Sequence, residues 1–190
     1  NLTFFDTSKA YPPLVQRGLV LNYDLGNSSS YTSGGTTVSD LANSFNSTIS
    51  GTTSYESTSN GKALVFSGSG YLQMGSDMAS LFSSGNNYSN SIFMWIYPTG
   101  DGNILDECDS TCGWHDTQIE VAYSSTSPAI YFGQWNGAAV TSVSSSITLN
   151  RWQYVGFVHD TTTIKAYVNG VAGNSTSLTR SFPSTLNFNV

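Results

Sequence analysis

Arg151-Trp-Gln-Tyr-Val-Gly-Phe-Val-His-Asp-Thr-Thr-Thr-Ile-Lys-Ala-Tyr-Val-Asn-Gly170 is the stretch that decides the fold of this chain. Two runs of alternating bulky residues flank a polar turn, Asp160-Thr-Thr-Thr163. The first run carries Trp152, Tyr154 and Phe157, and the second Ile164, Ala166 and Val168. A period of two places every second side chain on one face, so each run reads as a half-buried strand. Asn169-Gly170 then closes the second run with the dipeptide that tight hairpin turns prefer. The stretch is an antiparallel ribbon, and a ribbon of this kind points to a β-sandwich.

Working outward, the same signal recurs at short, even intervals. Strands are expected at Leu19–Tyr23, Phe45–Ile49, Ala63–Phe66, Tyr71–Met74, Asn103–Leu105, Gln118–Tyr123, Ala129–Trp135, Val140–Val143 and Leu186–Val190, with Leu178 as a further apolar position. Ser91-Ile-Phe-Met-Trp-Ile-Tyr97 is apolar enough to read as a central strand, stopped by Pro98. Helical periodicity is nearly absent, and the one plausible turn is Asp77–Phe82, where Asp77 could cap it. Residues 1–13 read as an extended N-terminal arm, because Tyr11-Pro-Pro13 blocks helix. Residues 14–190 read as the sandwich itself: all-β, two antiparallel sheets, of jelly-roll type.

Composition bounds the function. The chain has 190 residues, of which 38% are hydrophobic and only 9% charged, against about 25% in an average soluble domain. Uncharged Ser, Thr and Asn therefore carry its solubility. A net charge of −6 without a Lys/Arg cluster argues against nucleic acid and against an anionic membrane surface. No apolar run is long enough to insert into a membrane. The sequence begins at Asn1 rather than Met, which points to a removed leader or a fragment. Five N-x-Ser/Thr sequons start at Asn1, Asn27, Asn46, Asn87 and Asn174, mostly in polar, turn-like stretches. N-linked glycans, and hence a secreted or surface location, are expected.

Cys108 and Cys112 are the only cysteines. In an extracellular chain so close a pair reads first as a disulfide pinning one loop, worth about 2 kcal/mol at best for so short a ring. The alternative is a metal site of Cys108, Cys112 and His115, which falls one ligand short of a closed structural zinc centre.

Several segments, in order, resemble the laminin G-like domains of the concanavalin A-like lectin/glucanase group. Leu19-Val-Leu-Asn-Tyr-Asp24 is similar to that family's opening strand. Gly61-Lys-Ala-Leu-Val-Phe-Ser-Gly-Ser-Gly-Tyr-Leu72 is similar to its G-x-A-L-x-F-D-G segment, with Ser67 where the family usually carries Asp. Ile92-Phe-Met-Trp-Ile-Tyr-Pro98 and the stretch from Trp152 to Gly170 match its S-A-W-V-K-P strand and its L-Y-V-N-G hairpin. The resemblance implies a binding or adhesion module, and also a further C-terminal strand that does not follow Val190. The arm, with Leu2 and Phe4 alternating around Thr3 and Phe5 beside them, could fill that gap on its own domain or on a neighbour, or the strand belongs to an absent C-terminal segment.

The acidic stretch around Asp106, Glu107 and Asp109 is where carboxylates gather. Calcium is a possible ligand for it, since neighbouring carboxylates and carbonyls suit a hard cation. Glucanases of the resembled group carry Glu-x-Asp-x-x-Glu; here Glu107-Cys-Asp-Ser-Thr-Cys112 ends in a cysteine, so the second catalytic carboxylate is missing. No nucleophile elbow accompanies His115 or His159, and His159, at a strand end, reads as structural. Trp114, Tyr131 and Trp135 could stack on sugar or fill the core. The leading expectation is a non-catalytic, secreted, glycosylated structural or adhesive subunit that polymerises head to tail with copies of itself through its arm. The alternative is a lectin-like carbohydrate-binding module, and the third reading a degenerate glycan hydrolase.

Overall fold

A computed structural model of the chain describes residues 17–58, 61–74, 89–108, 115–122, 127–180 and 187–189. The backbone forms two compact units, Asn1–Asp77 and Met78–Val190. The described regular structure is all β and every strand pairing is antiparallel, as the period-two pattern requires. The arm and the turn expected at Asp77–Phe82 lie outside the described residues.

The first unit contains β1 (Thr37–Val38), β2 (Ser47–Ser50), β3 (Thr53–Thr58), β4 (Gly61–Phe66) and β5 (Tyr71–Met74). Strand β2 lies between β1 and β5, and β3 pairs with β4 as a hairpin. The strand expected at Leu19–Tyr23 is instead an extended segment without a ladder. The buried carboxylate of Asp40 accounts for the difference. Its Oδ1 accepts the amides of Asn22 (2.8 Å) and Ala42 (2.9 Å), and its Oδ2 accepts that of Asn43 (2.9 Å). A side chain has taken the donor that a neighbouring strand would need.

The second unit is a two-sheet sandwich. Its strands are β6 (Asn90–Ile96), β7 (Gly102–Cys108), β8 (His115–Ala122), β9 (Ala129–Trp135), β10 (Val140–Ser146), β11 (Gln153–His159), β12 (Thr163–Val168), β13 (Val171–Ser177) and β14 (Asn187–Asn189). One sheet runs β14-β7-β8-β9-β10. The other runs β13-β12-β11-β6. Leu105, Ile119, Val121, Ile130, Phe132 and Val143 of the first meet Val155, Phe157, Ile164 and Ala166 of the second in a single buried cluster. Phe132 and Phe157 touch across it with ring centroids 5.8 Å apart. Burying side chains of this size stabilises by about 1.5–3 kcal/mol each, which makes this cluster the main support of the unit.

The deciding stretch folds as the antiparallel ribbon read from sequence, but Trp152 and Tyr154 lie on the opposite face from Phe157, which enters the core with Val155. Strands β11 and β12 pair from Val155↔Val168 to His159↔Ile164. Asp160 shapes the turn between them, its Oδ1 accepting the amides of Thr162 (3.1 Å) and Thr163 (2.8 Å). Those two donors hold the Asp160 carboxyl below its ordinary pKa. Asn169 and Gly170 have φ of 52° and 80°, the left-handed pair of a type I′ turn, and they lead into β13.

Strand β6 departs from expectation. It stands at the end of the described four-stranded sheet, not at its centre. Ile92, Met94 and Ile96 pack against the core, while Phe93 and Trp95 face outward. Its unbroken apolar run therefore reflects one buried face and one uncovered face.

Candidate functional site

The uncovered face of β6 continues onto its neighbours. Register places Phe93 opposite Gly156 and Gly156 opposite Tyr167, while Trp95 stands opposite Tyr154. The rings follow that register. Phe93 stacks on Tyr154 with centroids 5.5 Å apart and an interplanar angle of 18°. Trp95 meets Tyr154 at 5.4 Å and Phe93 meets Tyr167 at 6.0 Å. Beyond the strand ends, Tyr97 and Trp152 pack edge to face at 5.6 Å. Six aromatic side chains thus tile one outer face, and Trp95 is 59% exposed, Tyr97 46% and Phe93 38%. Partial burial raises the pKa of the Tyr154 phenol, so it stays a neutral hydrogen-bond donor at ordinary pH.

Gly156 makes this arrangement possible. A Cβ there would lie 2.3 Å from the Ile92 carbonyl oxygen and 2.3 Å from Phe93 Cδ1. Both distances are far inside contact range. The missing side chain lets the Phe93 ring settle over the backbone, beside and nearly parallel to Tyr154.

The opposite sheet holds the acidic residues named from sequence, in a different role. Strand β7 runs through Cys108, so neighbouring side chains alternate between faces. Asp106 faces outward, while Glu107 faces inward and is fully buried. The two do not converge on a common point, and Asp109 lies outside the described residues. Glu107 pairs across the sheet with Thr117, and Thr117 with Gln134. Arg180 closes the row: its Nη2 donates to Glu107 Oε2 at 3.3 Å and to Thr117 Oγ1 at 2.9 Å. The carboxylate and the guanidinium are both 0% exposed. His159 lies at the same end of the sandwich, its Nε2 donating to the Leu178 carbonyl at 3.2 Å. Burial, followed by the Arg180 charge, holds the imidazole below its ordinary pKa despite that hydrogen bond. This end of the sandwich is a structural polar latch.

The remaining sequence candidates are scattered. Asn27, Asn46 and Asn174 are exposed, Asn174 on β13. Asn1, Asn87, Leu2, Phe4 and Phe5 lie outside the described residues, as do Cys112 and the side chains of Cys108 and His115. Tyr131 and Trp135 share the outer face of β9, half-buried, and Trp114 lies outside the described residues. Among the described residues no group of three or more His, Cys, Asp or Glu is placed to hold a metal ion. Among the described residues no helix is long and apolar enough to cross a membrane. Sequence reasoning missed the platform because Phe93, Trp95 and Tyr154 were read as strand fillers. The one signal that could have found it is a strand with bulky residues at both parities in a chain otherwise rich in Ser and Thr.

Comparison with known proteins agrees with this architecture. Residues 66–190 match the laminin G family described as the concanavalin A-like lectin/glucanases superfamily. No curated protein matches the chain. Among solved structures, the backbone is similar to domain 4 of AbnA, a GH43 extracellular arabinanase from Geobacillus stearothermophilus in complex with arabinotriose. The TM-score is 0.52 at 19% identity, over 80% of this chain and 76% of that one, a likeness of fold. An alginate lyase from Alteromonas sp. 272 gives a TM-score of 0.40 at 8% identity, over 78% of this chain and 68% of that one. The carbohydrate-binding module CBM66 from Bacillus subtilis gives 0.39 at 12%, over 73% and 84%. With well over half of its length matched, the chain belongs to the concanavalin A-like lectin/glucanase superfamily.

Proposed function

We propose that the chain is a non-catalytic carbohydrate-binding domain whose ligand stacks on the aromatic face of β6 and β11. The observation that carries this reading is the exposed Phe93–Tyr154–Trp95 cluster. Leaving large rings in water forgoes burial energy, so a contiguous exposed aromatic patch points to a partner. Five of the six rings are Tyr or Trp, which join an apolar face to a polar edge. A sugar ring has the complementary form, with C–H faces and hydroxyls around its rim. The fold alone does not select a ligand, since this architecture hosts many functions.

The non-catalytic part of the proposal is supported by Glu107. The residue aligned with the first glucanase carboxylate is sequestered in the core against Arg180, away from any outer face. Exposed sequons at Asn27, Asn46 and Asn174 favour an extracellular setting with N-linked glycans. The expected head-to-tail assembly rests on Leu2, Phe4 and Phe5, outside the described residues, and nothing on the described ones favours it.

The test is affinity electrophoresis of the chain in gels carrying a panel of polysaccharides, with calcium and with a chelator. Retardation by at least one glycan, lost in Trp95→Ala, is expected. A wild-type chain that no glycan retards, or one that releases reducing ends from a bound glycan, contradicts the proposal.

A further inference from the structure

Resting on that reading, we infer that the platform recognises the flat face of neutral, extended polysaccharide chains packed in an insoluble array, rather than a single soluble chain. Shape is the first reason. Same-face residues on a strand are about 6.8 Å apart, so Phe93 to Tyr97 spans about 14 Å, while the Tyr167 backbone lies about 10 Å away across three strands and its ring leans in to 6.0 Å from that of Phe93. That area holds several sugar rings side by side as well as in line. At its centre Phe93 and Tyr154 lie within 18° of parallel, with no Gly156 side chain to displace Phe93, while Trp95 and Tyr167 are inclined to them by 45° and 51°. A cleft shields its aromatic residues with walls; here Trp95 remains 59% exposed.

Charge is the second reason. Ser91, Phe93, Trp95, Tyr154, Gly156, Val158, Thr163, Lys165 and Tyr167 face outward on β6, β11 and β12, and Lys165 carries the one formal charge among them. It sits in the row of Val158 and Ser91, beside the rings rather than among them. One lysine in a chain of net charge −6 gives little purchase on uronates or sulfated sugars. Energetics is the third. An open sheet face gains little from each ring, and a flexible soluble chain must be ordered as it binds. Chains already ordered in an array have lost that freedom, and they present all six rings with partners at once.

The experiment is depletion of the whole 190-residue chain from solution by particles of microcrystalline cellulose, chitin and insoluble mannan. Cellohexaose, chitohexaose and mannohexaose are titrated in parallel, and circular dichroism checks the fold of every variant. The expected result is depletion by at least one particle type, no saturable binding of the matching hexasaccharide, and at least a tenfold weaker partition for Trp95→Ala and Tyr154→Phe/Trp95→Ala. Hexasaccharide binding as tight per site as that to particles, and lost in Trp95→Ala, overturns this inference while leaving the carbohydrate reading intact. Binding to no glycan, soluble or insoluble, overturns both. Particle binding that survives the substitutions places the ligand elsewhere and overturns it too. So does a concentration-dependent dimer abolished by Trp95→Ala in sedimentation, which would make a second copy the occupant of this face.

Discussion

The outer face of the four-stranded sheet and the buried end of the five-stranded one invert the usual partition of residues in opposite ways. On the first, six aromatic rings are left in water or half in it; in the second, a carboxylate and a guanidinium are sealed from it. The difference separates binding from stability. An exposed ring contributes little to folding, so its presence calls for a partner outside the chain. A buried ion pair offers nothing to a ligand, but neither partner can be removed without leaving an uncompensated charge.

The largest effect is expected at the latch. Arg180→Ala should cost about 3–5 kcal/mol, because Glu107 would remain buried with its charge unmatched. Denaturant unfolding measures this, and replacing both residues together with Leu and Met should recover most of the loss. Glycan binding per folded molecule should not change in either variant. A loss below about 1 kcal/mol for Arg180→Ala would show that the latch opens to water and that the comparison is drawn too sharply.

Gly156→Ala should come next, at about 1–3 kcal/mol, since the new methyl must displace the Ile92 backbone and the Phe93 ring. It is the one substitution expected to lower stability and weaken binding together. A variant that keeps full affinity would show that the seating of Phe93 over Gly156 is not needed.

Acid should act on the latch and spare the platform. His159 has a folded pKa held below its ordinary value, so its neutral form favours the native state. That contribution is full above the unfolded pKa of about 6.5 and is lost as pH falls through the lower folded value. Unfolding midpoints should therefore decline on acidification below about pH 6.5, and His159→Gln should flatten that part of the profile. Asp160 adds a second decline at lower pH, where its carboxylate is protonated and the turn amides lose their acceptor. A flat profile down to pH 4 would contradict this assignment.

Much of the fold was legible because hydrophobic alternation is a local signal. Tyr71–Met74 and Ala129–Trp135 form strands with the bounds read from sequence, and the Asn169-Gly170 turn adopts the conformation its residues prefer. Strands β3 and β13, Thr-Ser-Tyr-Glu-Ser-Thr and Val-Ala-Gly-Asn-Ser-Thr-Ser, escaped notice because they lack an apolar face. The latch was illegible for another reason. Arg180 lies 73 residues from Glu107, and nothing near Glu107 announces its partner. The platform was hidden by an ambiguity: an apolar run records that side chains are large, not whether the chain covers them. Phe93 and Trp95 were readable as residues of a central strand, and only the position of β6 in its sheet shows otherwise.

The most direct measurement compares the unfolding free energy and the glycan affinity of Trp95→Ala with those of the wild-type chain. The separation of binding from stability predicts a stability change within about 1 kcal/mol and at least a tenfold loss of affinity. A variant that is destabilised by several kcal/mol, or that binds as the wild type does, would contradict it.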